Sequence, residues 1–398
     1  MRILFATYYY LPHVGGGTWY PYHVSRRLAS RGHHVTLVAP RLRFRLALGP
    51  VADSSEPQLV LERANRVPLP LWCAPFMGLL LLRPRIVRLA RKSDVLLGQF
   101  HPHHSIAFVT VLLGKIIGRS VALRVEDWRR WMYGERPSAR ARLEFALAAL
   151  MNAANEWAAR RADLLLVVNS RAAAAFARSR SKGQTIRVSP NGVDLDVLDR
   201  FPDRIALRKE LRLPDGAPII VFVGRFSGTE YRVDILLEAF ESVRENRPDA
   251  VLVLVGDDLV KDLQFRHREA IRLGSVLLVG AVPQMTALAY SSAADVAVGP
   301  LGPTATTPLK VLEALASGTP VVVGRGSLGR ELDGLAPMLE VVPPHPTAVA
   351  RALLAALDTP PTWPKEAARS LLHEFGWERI AAEVETELCM LTAPVSDA

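Results

Sequence analysis

Residues 307–322 read TPLKVLEALASGTPVV. Pro308 favours the start of a helix, Gly318 favours its end, and an apolar run follows the glycine. The segment therefore predicts a loop, a helix over Leu309–Ala316 and a buried strand over Pro320–Val323. Helices that alternate with buried strands are typical of parallel sheets.

The same alternation runs through both halves of the chain. In the first half, strands are predicted at Ile3–Ala6, Val35–Val38, Val95–Leu97, Val121–Leu123 and Leu164–Val168, and helices at Trp19–Arg31 and Ala139–Arg161. In the second half, strands are predicted at Ile219–Val223, Val251–Val255, Val276–Val279, Val296–Val298 and Pro320–Val323, and helices at Val233–Glu245, Met285–Ala293 and Leu309–Ala316. The chain is therefore predicted to be an α/β protein with two doubly wound sheets, divided near residues 190–201.

The two halves differ in charge. The 398 residues are 49% hydrophobic and 22% charged, which excludes collagen, coiled-coil and wholly disordered proteins. Residues 1–195 contain 29 Lys and Arg against 11 Asp and Glu, whereas the remainder contains 20 against 28. A basic half favours phosphate groups or anionic lipid as partners, unless its arginines are simply solvated surface. Nucleic acid is not expected as a partner, because no recognition motif is present.

No segment is predicted to cross a membrane. Cys73 and Cys389 match neither a disulfide framework nor a zinc spacing, which favours the cytoplasm. Val67–Lys92 combines an apolar stretch, broken by prolines, with a run of basic residues. That pattern is typical either of an element that docks on a membrane surface or of a buried crossover helix with a solvated end. Peripheral contact with the inner face of the membrane is therefore one of two open interpretations.

Loops at predicted strand ends contain residues suited to binding phosphates and sugars. Residues 15–17 are glycines between the first strand and a helix, so backbone N–H groups there can approach a phosphate. Their spacing does not match the dinucleotide fingerprint, which disfavours a nicotinamide site. Arg225 can hold a diphosphate through charge-assisted hydrogen bonds. Glu313 can accept hydrogen bonds from ribose hydroxyls, although a surface glutamate is the alternative reading of its helix.

These loops belong to a longer series of short motifs. In chain order, the series comprises Pro12 with the glycine loop, Arg31-Gly32-His33-His34-Val35, Ala162-Asp163, Val168-Asn169-Ser170, Pro190-Asn191-Gly192-Val193-Asp194, Gly224-Arg225, Val255-Gly256-Asp257, Val279-Gly280-Ala281-Val282-Pro283, Ala294-Asp295-Val296, the Glu313 segment and Phe375-Gly376-Trp377-Glu378. Over nearly its whole length the chain thus resembles the family 4 glycosyltransferases of the GT-B fold. The resemblance implies two Rossmann-like domains that face a central cleft. Residues 1–190 would bind the acceptor, residues 191–375 would bind a nucleotide sugar, and residues 376–398 would form a helix that returns to the first domain.

The resemblance also implies a reaction. A sugar would pass from a UDP- or GDP-sugar to an acceptor hydroxyl with retention at the anomeric carbon, as in a retaining hexosyltransferase. No metal or other cofactor is expected, because basic side chains and helix N-termini stabilise the leaving diphosphate. The expected acceptor is a sugar, lipid-linked or part of a cell-envelope glycan. The residues expected to hold the donor are Gly16, Gly17, Arg225, Arg232, Val282, Thr306, Thr307, Leu309, Lys310 and Glu313.

Roles within that set follow from the same resemblance. Arg225 would hold the diphosphate, and it is also a candidate catalytic residue. Glu313 would bind the ribose, and the backbone around Val282 would meet the base. Glu126 and Asp127 stand where the family has a histidine after the fifth strand, and either carboxylate is a candidate base for the acceptor hydroxyl.

Two further positions depart from the family pattern. Ala305 stands where a glutamate usually touches the donor sugar, although Pro308-Leu309-Lys310 matches a variant of the family. Tyr231 stands where a diphosphate-binding lysine is usual, so Arg232 or Lys310 is expected to supply that charge. These departures leave open a degenerate, glycosyltransferase-like binding or partner protein without turnover. A metal site at the cluster His101, His103 and His104 is not expected, because it lacks a carboxylate.

Overall fold

A computed structural model describes residues 1–11, 16–41, 56–65, 69, 71–102, 104–126, 139–198, 201–228, 230–256, 260–302, 308–326, 332, 335, 338–361, 370 and 372–393. The chain divides into two compact units. Unit 1 comprises Met1–Asn191 with Trp377–Ala398, and unit 2 comprises Gly192–Gly376. The chain passes from one unit to the other after Asn191 and again after Gly376, in each case one residue later than the sequence predicts.

Unit 1 contains a seven-stranded, wholly parallel sheet with the order β3-β2-β1-β4-β5-β6-β7. Its strands are β1 (Arg2–Ala6), β2 (His34–Ala39), β3 (Leu59–Arg63), β4 (Val95–Phe100), β5 (Ser120–Val125), β6 (Leu164–Val167) and β7 (Thr185–Val188). Its helices are α1 (Gly16–Ser30), α2 (Pro84–Lys92), α3 (Ile106–Ile117), α4 (Ala139–Ala159), α5 (Ser170–Ala177) and the last helix of the chain, Trp377–Thr392. A 3₁₀ helix, Leu71–Leu82, precedes α2.

Unit 2 contains a six-stranded parallel sheet with the order β10-β9-β8-β11-β12-β13. Its strands are β8 (Ile219–Val223), β9 (Val251–Val255), β10 (Val276–Gly280), β11 (Val296–Val298), β12 (Val321–Gly324) and β13 (Leu339–Val342). Its helices are α6 (Leu195–Leu198), α7 (Arg204–Glu210), α8 (Val233–Asn246), α9 (Val260–Arg266), α10 (Arg268–Arg272), α11 (Gln284–Ala293), α12 (Leu309–Ala316) and α13 (Pro346–Asp358), with a 3₁₀ turn at His373–Phe375. In chain order the last helix, Trp377–Thr392, is therefore α14 and lies in unit 1.

The central strands are continuous apolar runs because both faces of each sheet are covered. β9 reads VLVLV and is buried throughout, with one core cluster on each side of its sheet. Helices predicted from the apolar period, including α8 and α12, place their apolar faces on those clusters. The predicted α/β fold with two parallel sheets is confirmed.

The sequence analysis missed three strands and joined two helices. β3, β7 and β13 lie at sheet edges, where partial exposure allows polar residues and weakens the apolar signal. Within the Val67–Lys92 segment, Leu71–Leu82 form a 3₁₀ helix and Pro84–Lys92 form α2, so the interpretation as one crossover helix is wrong for these residues. No helix of the described residues is long and apolar enough to cross a membrane.

In both sheets the strand order reverses beside the first strand. The chain winds outward from β1 to β3 and then returns to place β4 against the other side of β1. Unit 2 repeats this arrangement with β8 and β11. In open α/β sheets such reversals open a crevice at the carboxyl ends of the strands, and ligands bind there. The two reversal points therefore locate the regions in which to look for a site.

Candidate functional site

The carboxyl edge of the sheet in unit 2 is built from glycine backbone. A glycine ends or directly follows five of its six strands, at positions 224, 256, 280, 299 and 324. A Cβ atom on Gly256 would overlap the carbonyl oxygen of Gly224, and one on Gly324 would overlap that of Leu301. The strand ends therefore approach one another more closely than residues with side chains would allow.

Lys310 lies over the reversal point of this sheet. Gly224, at the end of β8, has a φ of +153°, and a Cβ there would meet the Nζ atom of Lys310. The same Nζ atom lies 4.8 Å from the centroid of the Tyr231 ring, within the range of a cation–π contact. The structure thus brings Lys310 together with Tyr231, the position at which the family resemblance predicts a lysine.

Arg232 is engaged differently. It has a φ of +48° at the start of α8 and makes a forked ion pair with Asp234, with Nη2 2.7 Å from Oδ2. Hydrogen bonding to Asp234 raises the pKa of Arg232, and the same pairing lowers the pKa of Asp234. Its charge is therefore partly neutralised beside its own helix, whereas the ammonium of Lys310 lies at the strand end.

Glu313 lies one turn after Lys310 on α12, on the same side of the helix. The amide Nε2 of Gln284, the first residue of α11, donates a hydrogen bond of 3.0 Å to Oε1 of Glu313. Burial raises the pKa of Glu313, and the Gln284 hydrogen bond and the charge of Lys310 act against that rise. Gln284 was missed in the sequence analysis, although it directly follows the predicted Val282-Pro283 motif.

The other predicted donor residues of unit 2 occupy nearby loops. Arg225 is the second residue after β8 and is exposed, with Nη2 3.2 Å from Oγ of Ser227. Val282 lies half-buried in the loop after β10, and Leu309 is the first residue of α12. Thr306 and Thr307 lie outside the described residues, as does Ala305. Unit 2 thus places Lys310 and Glu313 on α12 and Arg225 in the loop after β8, beside the carboxyl edge of its sheet.

In unit 1, Gln99 spans the reversal point of the sheet. Its Oε1 accepts hydrogen bonds from Oγ1 of Thr7 (2.6 Å) and from the backbone N–H of Tyr8 (3.0 Å). Its Nε2 donates to the carbonyl oxygen of Gly17 (3.0 Å) at the start of α1. This buried glutamine therefore fixes the predicted glycine loop to both central strands, and the sequence analysis did not identify it.

Glu126 lies beside that loop. It directly follows β5 and is buried, and its Oε2 lies 2.8 Å from the position that a Cβ on Gly17 would occupy. Gly16 is exposed, with open space where its Cβ would be. The structure therefore brings Gly17 and Glu126 together, whereas Asp127 lies outside the described residues.

A buried arginine on β5 stabilises the carboxyl edge of the unit 1 sheet. Arg124, on β5, is fully buried and donates to the carbonyl oxygen of Ser189 and to Oδ1 of Asn191 (3.0 Å). Its guanidinium lies 3.8 Å from the centroid of the Tyr20 ring, and the Tyr20 hydroxyl lies 2.8 Å from Oγ of Ser189. Burial lowers the pKa of Arg124, and the nearby charge of Glu126 opposes that shift. Arg124 thus joins β5 to the segment where the chain leaves unit 1.

The histidines after β4 form a stacked group of rings. His104 stacks on Tyr8 at 4.6 Å and on His101 at 5.4 Å. Nδ2 of Asn155 on α4 donates to the carbonyl oxygens of both histidines, which fixes the loop. Burial lowers the pKa of His101 to about 4, so this ring is neutral near pH 7. His103 lies outside the described residues.

Comparisons with known proteins place these observations in a family. A model described as "Glycosyltransferase Family 4" matches residues 14–197, and one described as "Glycosyl transferases group 1" matches residues 217–359. The chain is 30% identical to the 2-deoxystreptamine glucosyltransferase of Streptomyces kanamyceticus over 224 residues, which cover 53% of this chain and 55% of that protein. It spans about half the length of the curated relatives it matches.

Two solved structures share the fold over nearly the whole chain. The sucrose-phosphate synthase of Thermosynechococcus elongatus has a TM-score of 0.70 at 20% identity and covers 98% of both chains. The Anabaena HepE protein, solved with UDP-glucose, has a TM-score of 0.65 at 19% identity and covers 98% of this chain and 100% of its own. With both halves matched by family models and both sheets matched by these folds, the chain belongs to the family 4 glycosyltransferases and has the GT-B fold.

Proposed function

We propose that this glycosyltransferase moves a hexose from a UDP- or GDP-sugar to an acceptor hydroxyl, with retention at the anomeric carbon. The observation that carries the proposal is the set Lys310, Glu313 and Gln284 at the reversal point of unit 2. A cation beside glycine backbone suits a diphosphate, and a carboxylate held by an amide suits a pair of ribose hydroxyls. The UDP-glucose found in the HepE structure supports a donor of this class.

The diphosphate is assigned to Lys310 and Arg225 rather than to Arg232. The Nζ atom of Lys310 lies at the end of β8 and over the Tyr231 ring, and Arg225 is the second residue after that strand. Arg232 is bound to Asp234. Fixed positive charge at the leaving group stabilises the negative charge that develops as the bond to the sugar breaks. Such stabilisation requires no metal, and none is proposed.

On the acceptor side, Glu126 is proposed to orient the attacking hydroxyl. During transfer, the bond from the anomeric carbon to the diphosphate oxygen breaks, and a bond to the acceptor oxygen forms on the same face of the sugar. The acceptor proton passes to the leaving phosphate oxygen or to the Glu126 carboxylate, so charge balances in either case. The buried position of Glu126 beside Gly17 supports this role.

The acceptor is proposed to be lipid-linked or part of a cell-envelope glycan, and the protein to act in the cytoplasm at the membrane surface. The charge of the first half supports this, because 29 basic residues against 11 acidic ones favour anionic lipid or phosphate-bearing acceptors. A second candidate function is a partner protein without turnover, favoured by Ala305 and Tyr231 at two positions where the family usually has functional groups.

A thermal-shift series with UDP, GDP, ADP and their sugar conjugates tests the donor assignment. A ligand at 100 times its Kd stabilises the folded protein by about 2.7 kcal/mol, which a melting curve resolves. Glu313→Ala is expected to weaken binding by about 100-fold, because each hydrogen bond to a charged group contributes about 1.5–3 kcal/mol. Glu238→Ala, at an exposed position on α8, is the control. Absence of binding by any nucleotide or nucleotide sugar would overturn the proposal, and binding without turnover would favour the partner protein.

A further inference from the structure

The 3₁₀ helix of unit 1 exposes a line of large apolar side chains. It runs over 12 residues, Leu71–Leu82, whereas most 3₁₀ helices extend for only about three or four. Because a 3₁₀ helix has three residues per turn, side chains three positions apart lie directly above one another. Phe76, Leu79 and Leu82 are spaced in this way and are 51%, 55% and 44% exposed. They form one outward line, which we call the apolar ridge.

The opposite side of the same helix is fixed to unit 1. Met77 and Leu81 are buried in the core cluster of the unit. The backbone N–H of Gly78 donates to Oγ of Ser105 at 3.0 Å, and a Cβ on Gly78 would collide with the Ser105 backbone. This close packing holds one side of the helix against unit 1. The apolar ridge therefore faces outward as a consequence of how the other side is packed.

α2 follows directly and exposes cations beside the ridge. Its buried side holds Ile86 and Ala90, and the exposed residues include Arg85, Arg88, Arg91 and Lys92. Arg85 is paired with Glu62, at 2.8 Å. Within the described part of the chain, the side chains of Arg88, Arg91 and Lys92 make no ion pair with a carboxylate. The ridge thus leads into a positively charged helix face.

We infer that the ridge and α2 dock unit 1 on the surface of an anionic lipid bilayer. Phe76, Leu79 and Leu82 would enter the boundary between headgroups and acyl chains, and the α2 cations would contact lipid phosphates. A second copy of the chain fits less well, because a two-fold interface would place the same cations against each other. A nucleic acid would satisfy the cations but would leave the leucines in water. An anionic bilayer offers an apolar boundary to the ridge and phosphates to the α2 cations.

This inference deepens the proposed function, since docking would bring unit 1 to the place where lipid-linked acceptors lie. The test is co-sedimentation of the full chain with vesicles of phosphatidylcholine alone, or with phosphatidylglycerol added. Sedimentation is expected with the anionic vesicles only, and less of it at high salt, because salt screens exposed charges. Phe76→Ser/Leu79→Ser and Arg88→Glu/Lys92→Glu should each reduce it, the second by at least about fivefold for each cation removed.

Unit 2 offers a matched control. Phe265 is 83% exposed, and Arg268 is an exposed cation one turn away, so Phe265→Ser/Arg268→Glu changes the same chemistry elsewhere. This control is expected to sediment like the unmodified protein. The inference is overturned if anionic vesicles bind nothing at low salt, or if the ridge variants sediment as the control does. It is also overturned if the ridge variants abolish a concentration-dependent dimer or the capture of an acidic protein instead.

The same samples separate this inference from the proposed function. Nucleotide binding is read by thermal shift in the absence of vesicles, and the ridge variants should retain it because no donor residue is altered. Protein that binds nucleotide but no vesicles contradicts docking alone. Protein that binds vesicles but no nucleotide contradicts the proposed donor site alone.

Discussion

The carboxyl edges of the two sheets are made from different parts of the polypeptide. In unit 2, glycine backbone packs against the backbone of neighbouring residues, and among the described residues Lys310 lies at the reversal point, with Glu313 one turn further along α12. In unit 1 the corresponding edge is filled by polar side chains, among them Gln99, Arg124 and Glu126, which are buried and hydrogen-bonded or close to an opposite charge. Two sheets whose strand order reverses in the same way thus carry edges with different physical properties.

The difference indicates how each edge tolerates change. A backbone atom cannot move aside without displacing its strand, so a glycine edge should be rigid and intolerant of added atoms. A side-chain edge can repack at its tips, but it depends on buried polar groups that are costly to leave without partners. Unit 1 should therefore be most sensitive to removal of a polar group, and unit 2 to addition of a methyl group.

Among the substitutions, removal of Arg124 is expected to have the largest effect on stability. Arg124→Leu leaves the Ser189 carbonyl and the Asn191 amide without their donor, and Glu126 without its buried counter-charge. Breaking a buried charge network costs about 3–5 kcal/mol. Urea unfolding followed by tryptophan fluorescence measures this loss, because six of the seven tryptophans belong to unit 1.

Exposed Arg119, directly before β5, provides the control for that measurement. Arg119→Leu should change the free energy of unfolding by less than about 0.5 kcal/mol. Lys310→Met in unit 2 should also cost little stability, because the lysine is only half-buried. If Arg124→Leu were as mild as these two changes, the side-chain edge would not depend on its buried cation.

Acid should change the stability of the two units differently. Burial, with the charges of Arg27 and Arg26, lowers the pKa of His23 to about 3, and burial lowers that of His101 to about 4. Unfolded chain takes up these protons near pH 6.5, whereas folded unit 1 does not, so stability is lost as the pH falls from about 6.5 toward 4. The free energy of unfolding should fall by about 1.4 kcal/mol per pH unit for each histidine.

Glu313 in unit 2 should contribute in the opposite direction over the same pH range, above the ordinary pKa of Asp234. Burial raises the pKa of Glu313, so the folded state keeps that proton at a higher pH than the unfolded state, and its contribution to stability grows as the pH falls. On acidification, the tryptophan transition should therefore shift to lower urea than the far-UV circular dichroism transition of the whole chain. His23→Gln/His101→Gln should flatten the shift, and His34→Gln, at an exposed position, should not. Equal shifts of both transitions would refute the distinction.

Sequence analysis identified Lys310 and Glu313 at the unit 2 edge but missed Gln284, and at the unit 1 edge it identified Gly17 and Glu126 but missed Gln99 and Arg124. Glycines after apolar runs mark strand ends, and Lys310 and Glu313 lie on a helix whose period is readable. Gln99 and Arg124 sit inside short strands, and their partners lie 92 and 67 residues away, at Thr7 and Asn191. Nothing local distinguishes them from polar residues at a solvated strand end. Pairing across such separations is decided by strand order, which no window of sequence contains.

The choice between Lys310 and Arg232 shows the same limit on a smaller scale. Both cations were candidates to replace the lysine missing at Tyr231. Only the local backbone, with Arg232 at a φ of +48° beside Asp234, turns that arginine toward its own helix. Where a cationic side chain places its charge depends on the local backbone conformation and on nearby partners. Neither follows from the position of the residue in the chain.

Addition of a methyl group to the unit 2 edge is expected to have the next largest effect. In Gly256→Ala the new Cβ overlaps the carbonyl oxygen of Gly224, which is backbone and has no rotamer to change. Overpacking of this kind costs about 1–3 kcal/mol. The melting temperature measures the cost, and nucleotide affinity should fall with it because Lys310 rests on Gly224. Gly16→Ala, where the Cβ enters open space, is the control, and a Gly256→Ala protein as stable as that control would contradict a rigid edge.

The smallest effect is expected for the same methyl group at the unit 1 edge. In Gly17→Ala the Cβ would lie 2.8 Å from Oε2 of Glu126, 3.3 Å from Cδ2 of Tyr9 and 3.4 Å from Nε2 of Gln99, which are all side-chain atoms. Because such tips can move aside, the cost in stability should stay below about 1 kcal/mol. The displaced carboxylate of Glu126 should slow sugar transfer by up to about tenfold, with nucleotide affinity retained.

A double-variant cycle decides whether Gly17 acts through Glu126. If it does, Gly17→Ala/Glu126→Gln should transfer sugar no more slowly than Glu126→Gln alone, because effects that share one partner are not additive. If instead the two rate losses multiply and nucleotide affinity also falls, the glycine meets the donor directly, as the family resemblance implies. That outcome would make the loop after β1 a backbone contact like those of unit 2. The contrast between the two edges would then hold for β4 and β5 but not for β1.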